Sequence, residues 1–203
     1  MTQIEGHILN LWSVCAEGTR ALGPGDRYVI WTQGCMKRCP GCTSPESQAI
    51  EPKMIVDVEQ LAGDIIAKRN MSGITISGGE PFLQAASLAR LLYLVKQQRP
   101  EMNVIVFTGY LKEELNWNDA QQLLAATDVL IDGPFCMDKA TDKGLRGSTN
   151  QRIHFLTDIL TAYRDELENA SRKQEVYVDS DKIVSIGIPN NNNIKPLNNN
   201  NYE

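Results

Sequence analysis

Gly34-Cys35-Met36-Lys37-Arg38-Cys39-Pro40-Gly41-Cys42 places three cysteines at C-x3-C-x2-C spacing within one short loop. A loop this tight gathers three sulfurs to one point without help from distant sequence. Three thiolates can fill three iron corners of a cubane [4Fe–4S] cluster, whose usual complement is four cysteines. The fourth iron is then open to an outside ligand. Two plainer readings compete. A structural zinc ion would need a fourth ligand and would close its shell. The cysteines could also be unligated and buried as small apolar groups.

Directly before the loop, Tyr28-Val29-Ile30-Trp31-Thr32 is a short β-prone run. Upstream of it, Ile4 to Val14 has the apolar residues of a strand, and Ala16 to Asp26 reads as a glycine- and proline-broken loop. Downstream, Val58, Leu61, Ala62, Ile65 and Ile66 recur at helical spacing, with Asp57 as the N-cap. Ile74-Thr75-Ile76-Ser77 is a strand that runs into Gly78-Gly79-Glu80-Pro81-Phe82. A second helix carries Leu88, Leu91, Leu92 and Val95 and stops at Pro100. Val104 to Phe107 is a strand ending in Thr108-Gly109, a weaker helix covers Ala120 to Ala126, and Val129-Leu130-Ile131 ends in Asp132-Gly133. A long polar loop runs to Asn150, followed by Ile153-His154-Phe155 and a helix from about Asp158 to Ala170. Glu175 to Val178 and Ile183 to Ile188 form a hairpin around Asp179-Ser180-Asp181-Lys182.

Short apolar strands alternating with helices predict an α/β fold with βαβ units and a parallel sheet. Right-handed crossovers then bring the carboxyl ends of the strands to one edge, where sites in such sheets lie. Four successive strands end there in distinctive chemistry: the cysteine loop, Gly78-Gly79-Glu80, Thr108-Gly109 and Asp132-Gly133. Paired glycines let a backbone pass close to a ligand, and a carboxylate beside them can accept hydrogen bonds from an ammonium group. Taken alone, Gly78-Gly79-Glu80 is as well explained by a strand-to-helix turn. Asp132 can be a cap or a site carboxylate. Cys136 lies just beyond that edge and reads as a free, half-buried thiol or one that approaches the site, Cys15 reads as a buried small apolar residue, and His7 and His154 read as packed residues. Lys37 and Arg38 read as solvated, or as cations offsetting the charge of a thiolate-bound cluster.

The chain has 203 residues, a formal net charge of −5 and 5 cysteines. That length suits one domain with a real core. The mild negative charge does not favour nucleic acid or an anionic membrane, and no stretch is apolar for long enough to span a bilayer. Met1 to Glu5 lack the features of a secretion signal. An odd cysteine count with three in one loop is a cytosolic metal pattern, not a disulfide framework. We therefore expect a cytoplasmic protein. Residues 1–188 are expected to form one domain and residues 189–203, with the runs Asn190 to Asn193 and Asn198 to Asn201, an Asn-rich low-complexity tail.

Cys35-x3-Cys39-x2-Cys42 followed by Gly78-Gly79-Glu80 resembles the radical S-adenosylmethionine (SAM) superfamily. Gly23-Pro24-Gly25-Asp26-Arg27, Gln33-Gly34-Cys35, Cys39-Pro40-Gly41-Cys42, Asp132-Gly133-Pro134-Phe135 and Arg146-Gly147-Ser148-x-Asn150-Gln151-Arg152-Ile153 are similar to the activating proteins of anaerobic ribonucleoside-triphosphate reductases. The likeness runs from about Gly6 to Ile153. Such activases usually carry an aromatic residue or His and then Asn after the third cysteine, where this chain has Thr43-Ser44-Pro45-Glu46. Ala170 to Glu203 have no counterpart in the pattern.

The resemblance implies an open, partial (β/α) barrel with a C-terminal extension. It implies a [4Fe–4S] cluster on Cys35, Cys39 and Cys42, and SAM chelating the fourth iron. Gly78, Gly79 and Glu80 would receive the SAM amino group; Thr108 and Asp132 are expected at the same cofactor site because they share the strand-end edge with the cluster. Reductive cleavage of SAM would yield methionine and a 5′-deoxyadenosyl radical that abstracts hydrogen from a polypeptide. The first functional reading is an activase for a glycyl-radical reductase, supplied with electrons by a donor such as flavodoxin or ferredoxin. The second is a peptide-modifying enzyme acting on a ribosomally made precursor, with an accessory leader-binding protein. A third, a non-catalytic iron–sulfur or zinc module, leaves Gly78-Gly79-Glu80 without a role.

Overall fold

The computed structural model describes residues 7–179 and 182–189; the Asn-rich runs and Ser180-Asp181 of the hairpin turn lie outside the described residues. Seven strands form one sheet in the order β3-β1-β2-β4-β5-β6-β7. They are β1 (Ile8–Thr19), β2 (Arg27–Thr32), β3 (Met54–Asp57), β4 (Gly73–Gly78), β5 (Asn103–Phe107), β6 (Val129–Asp132) and β7 (Arg152–Phe155). β2, β4, β5 and β6 pair in parallel, while β1, β3 and β7 add antiparallel flanks. The expected parallel sheet is there, and it is open, with β3 and β7 at its edges.

Helices α1 (Val58–Ala67), α2 (Ala85–Gln98) and α3 (Asn118–Ala125) cross between the parallel strands. Asp57 caps α1 as its position predicts, its side chain accepting the Gln60 N–H at 2.9 Å. The helices bury Leu61, Ile65, Leu88, Leu92, Val95 and Leu123 against Tyr28, Ile30, Ile74, Ile76, Val104 and Val106 of the strands. Alternate strand residues Val29, Ile105, Val129 and Ile131 point to the opposite face. There they meet Leu145, Leu160, Leu167 and Ile186, from the polar loop and the C-terminal segments.

Two local expectations give way, and one short strand goes unread in the sequence. β1 continues through part of the predicted loop, because register shifts in its pairing with β2 let Gly18, at φ +88°, stay within the strand. β3 has only four residues, with one face exposed, and runs straight into the α1 cap, so alternation has too little length to be read. The helix expected from Asp158 is a 3-10 turn, Thr161–Tyr163, followed by the short α4 (Arg164–Asn169). The Thr161 hydroxyl donates to the Asp158 carbonyl at 2.8 Å, a local bond that competes with helix start. The expected hairpin is present as β8 (Glu175–Asp179) and β9 (Lys182–Ile186).

Arg27 locks the amino-terminal edge of the sheet. It is fully buried, and its guanidinium donates to Thr75 Oγ1 (2.6 Å), Asn103 Oδ1 (2.6 Å), the Ile74 carbonyl (2.7 Å) and the Pro24 carbonyl (3.0 Å). Burial lowers its pKa to about 9, which still leaves it charged at neutral pH. One side chain thus staples β2 to β4 and β5. Arg27→Ala would strand these acceptors inside the protein, and we expect a loss of about 3 kcal/mol or more, since buried polar networks broken on one side carry the full desolvation cost. Urea unfolding of the two proteins measures it; equal midpoints would show that the staple contributes nothing.

Candidate functional site

The cysteine loop leaves β2 through Gln33 and Gly34. Gly34 adopts φ +98°, and the loop is tied down by Gly34 N–H to the Ser47 carbonyl (2.7 Å) and Cys35 N–H to the Gln48 carbonyl (3.1 Å). Arg38, between the first two cysteines, holds φ +46° and is the one non-glycine residue in the left-handed region among the described residues. Cys42 N–H donates to the Cys39 carbonyl at 3.2 Å, and Ser44 N–H points at Cys42 Sγ from 3.4 Å. Burial pushes the Cys35 thiol above its ordinary pKa, and backbone N–H groups of Lys37 and Arg38 oppose that rise.

The glycine pair at the end of β4 packs directly on this loop. Gly78 has φ +99°, and Gly79 N–H donates to the Thr32 carbonyl at 2.8 Å. Glu80 N–H donates to the Gly34 carbonyl at 2.7 Å. A β carbon on Gly79 would stand 2.3 Å from that same carbonyl oxygen, so only glycine fits. The Glu80 side chain is 1% exposed. Its Oε1 accepts from Phe82 N–H (3.0 Å) and the Thr108 hydroxyl (2.7 Å), and its Oε2 from Gly109 N–H (2.8 Å). Burial raises the Glu80 pKa above the ordinary carboxylate value; the three donors and the charge of Lys37 pull the other way.

One open cavity is bounded by Cys35, Cys39 and Cys42 on one side and by Gly78, Gly79 and Glu80 on another. Thr108 and Gly109 beyond β5, and Gly133 and Phe135 beyond β6, complete the strand-end wall. The structure therefore collects at one place every residue proposed from the sequence except Asp132. That carboxylate is fully buried and engaged by Arg152 and by Lys112 N–H (2.7 Å). His154 Nε2 stands 3.1 Å from it, and Arg152 also spans to Glu113. Asp132 is a strut between β6, β7 and the loop after β5, outside the cavity lining. Burial works against its ionisation, but Arg152, Lys112 N–H and His154 outweigh it and hold the pKa below the usual value.

Several lining residues are not among the site residues proposed from the sequence. Lys37 lines the cavity instead of extending into solvent, its ammonium 4.0 Å from the Tyr110 ring centre and 3.7 Å from Glu114. Gln151 accepts Gly147 N–H at 2.7 Å and donates to the Gly133 carbonyl at 2.9 Å, so it fixes two glycines of the wall. Its place in the Arg146–Ile153 run is the available signal. Phe107 and Ile188 line the cavity with no motif to mark them.

A family model described as a 4Fe-4S single cluster domain matches residues 21–154, about two thirds of the chain. The chain belongs to this 4Fe-4S single cluster domain family. The anaerobic ribonucleoside-triphosphate reductase-activating protein of Vibrio cholerae is 38% identical over 151 residues, covering 66% of this chain and 91% of that protein. The protein of the same name in Haemophilus influenzae is 36% identical over 142 residues, covering 65% and 89%. Among solved structures, QueE from Escherichia coli is similar at a TM-score of 0.41 and 15% identity, over 62% of this chain and 69% of that one. A [4Fe–4S] cluster is the cofactor that the family model names, and S-adenosylmethionine is the second cofactor expected from the resemblance.

The donor set fits them. Among the described residues, no three Cys, His, Asp or Glu side chains converge as one metal ion would require. The three thiols instead border a common space, as the corners of a cubane would need, and the other potential ligand in that wall, the Glu80 carboxylate, is already engaged by Phe82, Thr108 and Gly109. Glu80 offers a buried carboxylate beside that space for a cationic amino group.

Gly79→Ala should cost about 1–3 kcal/mol of stability through overpacking and, with all three cysteines retained, lower the iron bound after anaerobic reconstitution; wild-type iron content would show that the turn does not set the loop. For Asp132 the sign is fixed by its depressed pKa: the stabilisation is present above the unfolded value of 3.8 and fades as pH falls below it. Asp132→Asn should therefore be destabilised by about 1–2 kcal/mol at pH 7, with the deficit shrinking below that value. Denaturant titrations at several pH values check this, and a deficit independent of pH would contradict it.

Proposed function

We propose that this chain cleaves S-adenosylmethionine reductively and uses the product to take a hydrogen atom from a polypeptide, activating a glycyl-radical anaerobic ribonucleotide reductase. The observation that carries the reading is the shared cavity in which a three-thiol loop and a diglycine–carboxylate turn are packed against each other. The names of the relatives support the choice of a reductase as the polypeptide. We read residues 1–188 as one domain, an open partial (β/α) barrel of the radical SAM type with a C-terminal extension, and residues 189–203 as a separate tail. The cytoplasm is the proposed location, and flavodoxin or ferredoxin the class of electron donor.

In this reading Cys35, Cys39 and Cys42 hold three irons and leave the fourth for the amino acid end of S-adenosylmethionine. Bound together, the reduced cluster and S-adenosylmethionine supply a one-electron scission of a carbon–sulfur bond and so a carbon radical at the site. The residues of the chain position and exclude. Gly78 and Gly79 let the backbone come close to the amino group. Glu80 uses three of a carboxylate's roughly four acceptor positions on Phe82, Thr108 and Gly109, which leaves one on Oε2 for that ammonium. Thr108 and Gly109 are held in turn by Glu80, so the β5 end cannot drift from the β4 end. Lys37 places a positive charge beside the thiolates and moderates their field. The open sheet edge gives a polypeptide loop a way in that a closed, side-chain-filled barrel would deny.

The test is anaerobic reconstitution with iron and sulfide, then addition of dithionite and S-adenosylmethionine. Wild-type protein should bind about four irons and release 5′-deoxyadenosine, while Cys39→Ala should lose both. Zinc in the purified protein, or no product from a fully loaded cluster, would overturn the reading. With a glycyl-radical reductase subunit added, a glycyl radical signal supports that substrate. Deuterium transfer to 5′-deoxyadenosine only from a precursor peptide assigns the chain to peptide modification.

A further inference from the structure

The family match ends at His154, yet Ile188, from the segment after β9, borders the cavity of the three cysteines. The path that brings it there is held at several points. Glu175 of β8 accepts Arg20 N–H at 3.0 Å, and the Tyr177 hydroxyl donates to the Gly18 carbonyl at 2.8 Å. Gly187 turns the chain at φ +132°, where a β carbon would meet the Lys173 carbonyl oxygen at 2.6 Å. The guanidinium of Arg172 then gathers the ends: it donates to the Pro189 carbonyl (2.8 Å), to those of Thr141 and Arg146, and to that of Gly147 (3.2 Å). Gly147 and Ile188 both line the cavity, so Arg172 joins two of its walls.

Ile188 also borders a second cavity, lined by Arg20, Lys173 and Arg172 among others. It is therefore the apolar partition between the cofactor space and a neighbouring space rich in cations. Within the cofactor cavity the charged side chains, Lys37 and Glu80, lie on the cysteine-loop and β4 side, while Phe107, Phe135 and Ile188 supply apolar surface. S-adenosylmethionine has the same division, a zwitterionic amino acid end and a flat purine that gains by leaving water.

We infer that the C-terminal extension is part of the S-adenosylmethionine site: Ile188 is an apolar wall for the cofactor's less polar portion, and Arg172 is the positioning residue that holds this wall against Gly147. The inference rests on reading the cavity as the radical SAM site. It adds that residues beyond the family segment set the affinity of that site.

The test titrates S-adenosylmethionine into reconstituted, reduced protein and follows the change in the cluster's electron paramagnetic resonance spectrum, with iron content and melting temperature measured beside it. Ile188→Ala should weaken binding about three- to tenfold, the range expected for losing part of a buried aliphatic contact, with iron content unchanged. Ile188→Leu should stay within about twofold of wild type, since volume-conserving exchanges are tolerated. Arg172→Lys, which cannot reach four carbonyls with one planar fork, should weaken binding in the same direction at unchanged iron content. Equal dissociation constants for wild type, Ile188→Ala and Arg172→Lys would overturn the inference and leave the site reading intact. Loss of iron along with affinity in both variants would assign the segment a folding role and also overturn it. A wild-type cluster that shows no spectral response to S-adenosylmethionine would overturn the site reading, and this inference with it.

Discussion

Where Gly79 passes Gly34 there is no volume for even a methyl group. A β carbon there would overlap the Gly34 carbonyl oxygen at 2.3 Å. That closeness exists because β2 and β4 run parallel and in register from Arg27 opposite Gly73 to Thr32 opposite Gly78. Parallel neighbours need a long crossover, and here the crossover contains the cysteine loop, β3 and α1 before the chain returns as β4. The loop therefore emerges beside the turn that ends the next strand, whatever its own sequence prefers. Hydrogen bonds from Gly79 and Glu80 to the Thr32 and Gly34 carbonyls close the contact. Positions of the thiols relative to Glu80 follow from sheet register, which one residue of slip would destroy.

The buried ions of this sheet are stabilised in different ways, and the difference separates scaffold from site. Arg27 at one edge and Glu80 at the other are both surrounded mainly by neutral partners: hydroxyls, amides and backbone groups. Fixed dipoles satisfy hydrogen-bonding positions without cancelling the charge. Glu80 thus keeps a negative potential facing the cavity, attenuated by Lys37, and a cationic ligand can use it. Asp132 has a guanidinium and an imidazole against its oxygens. Its charge is consumed locally, so it braces the fold and has little left to offer a ligand. Burial raises Glu80 and counter-charges lower Asp132, two directions that express the same contrast.

Much of this is legible in the chain because the signals are local. Apolar runs such as Tyr28–Thr32 and Ile74–Ser77 carry their own β preference, and a cysteine triad or a diglycine at a strand end needs no long-range information. Thr108 and Gly109 follow from topology: if the sheet is parallel, its carboxyl ends share an edge. For Asp132 the same rule leaves cap and site carboxylate open, because being at the edge does not say which way a carboxylate turns, and its partner Arg152 lies 20 residues away in sequence. For Lys37 the sequence leaves solvated and cluster-facing readings open, because its partner ring, Tyr110, sits on another strand end. Gln151 and Ile188 act through tertiary contacts alone, which composition and periodicity do not encode.

The two faces of the sheet explain why the extension belongs to the working protein. α1, α2 and α3 all cover one face. The other face presents Val29, Ile105, Val129 and Ile131, and an apolar surface of that kind is not left to water. Its cover comes from Leu22, Leu145, Leu160, Leu167 and Ile186, of which the last three fall beyond the family match. Ile188 and Phe107 pack against this second core and at the same time border the cavity. The floor of the site is thus the upper layer of a core that residues beyond His154 complete. A segment that finishes the inner core cannot be neutral toward the cavity resting on it, because close-packed interiors transmit a displaced side chain to their neighbours.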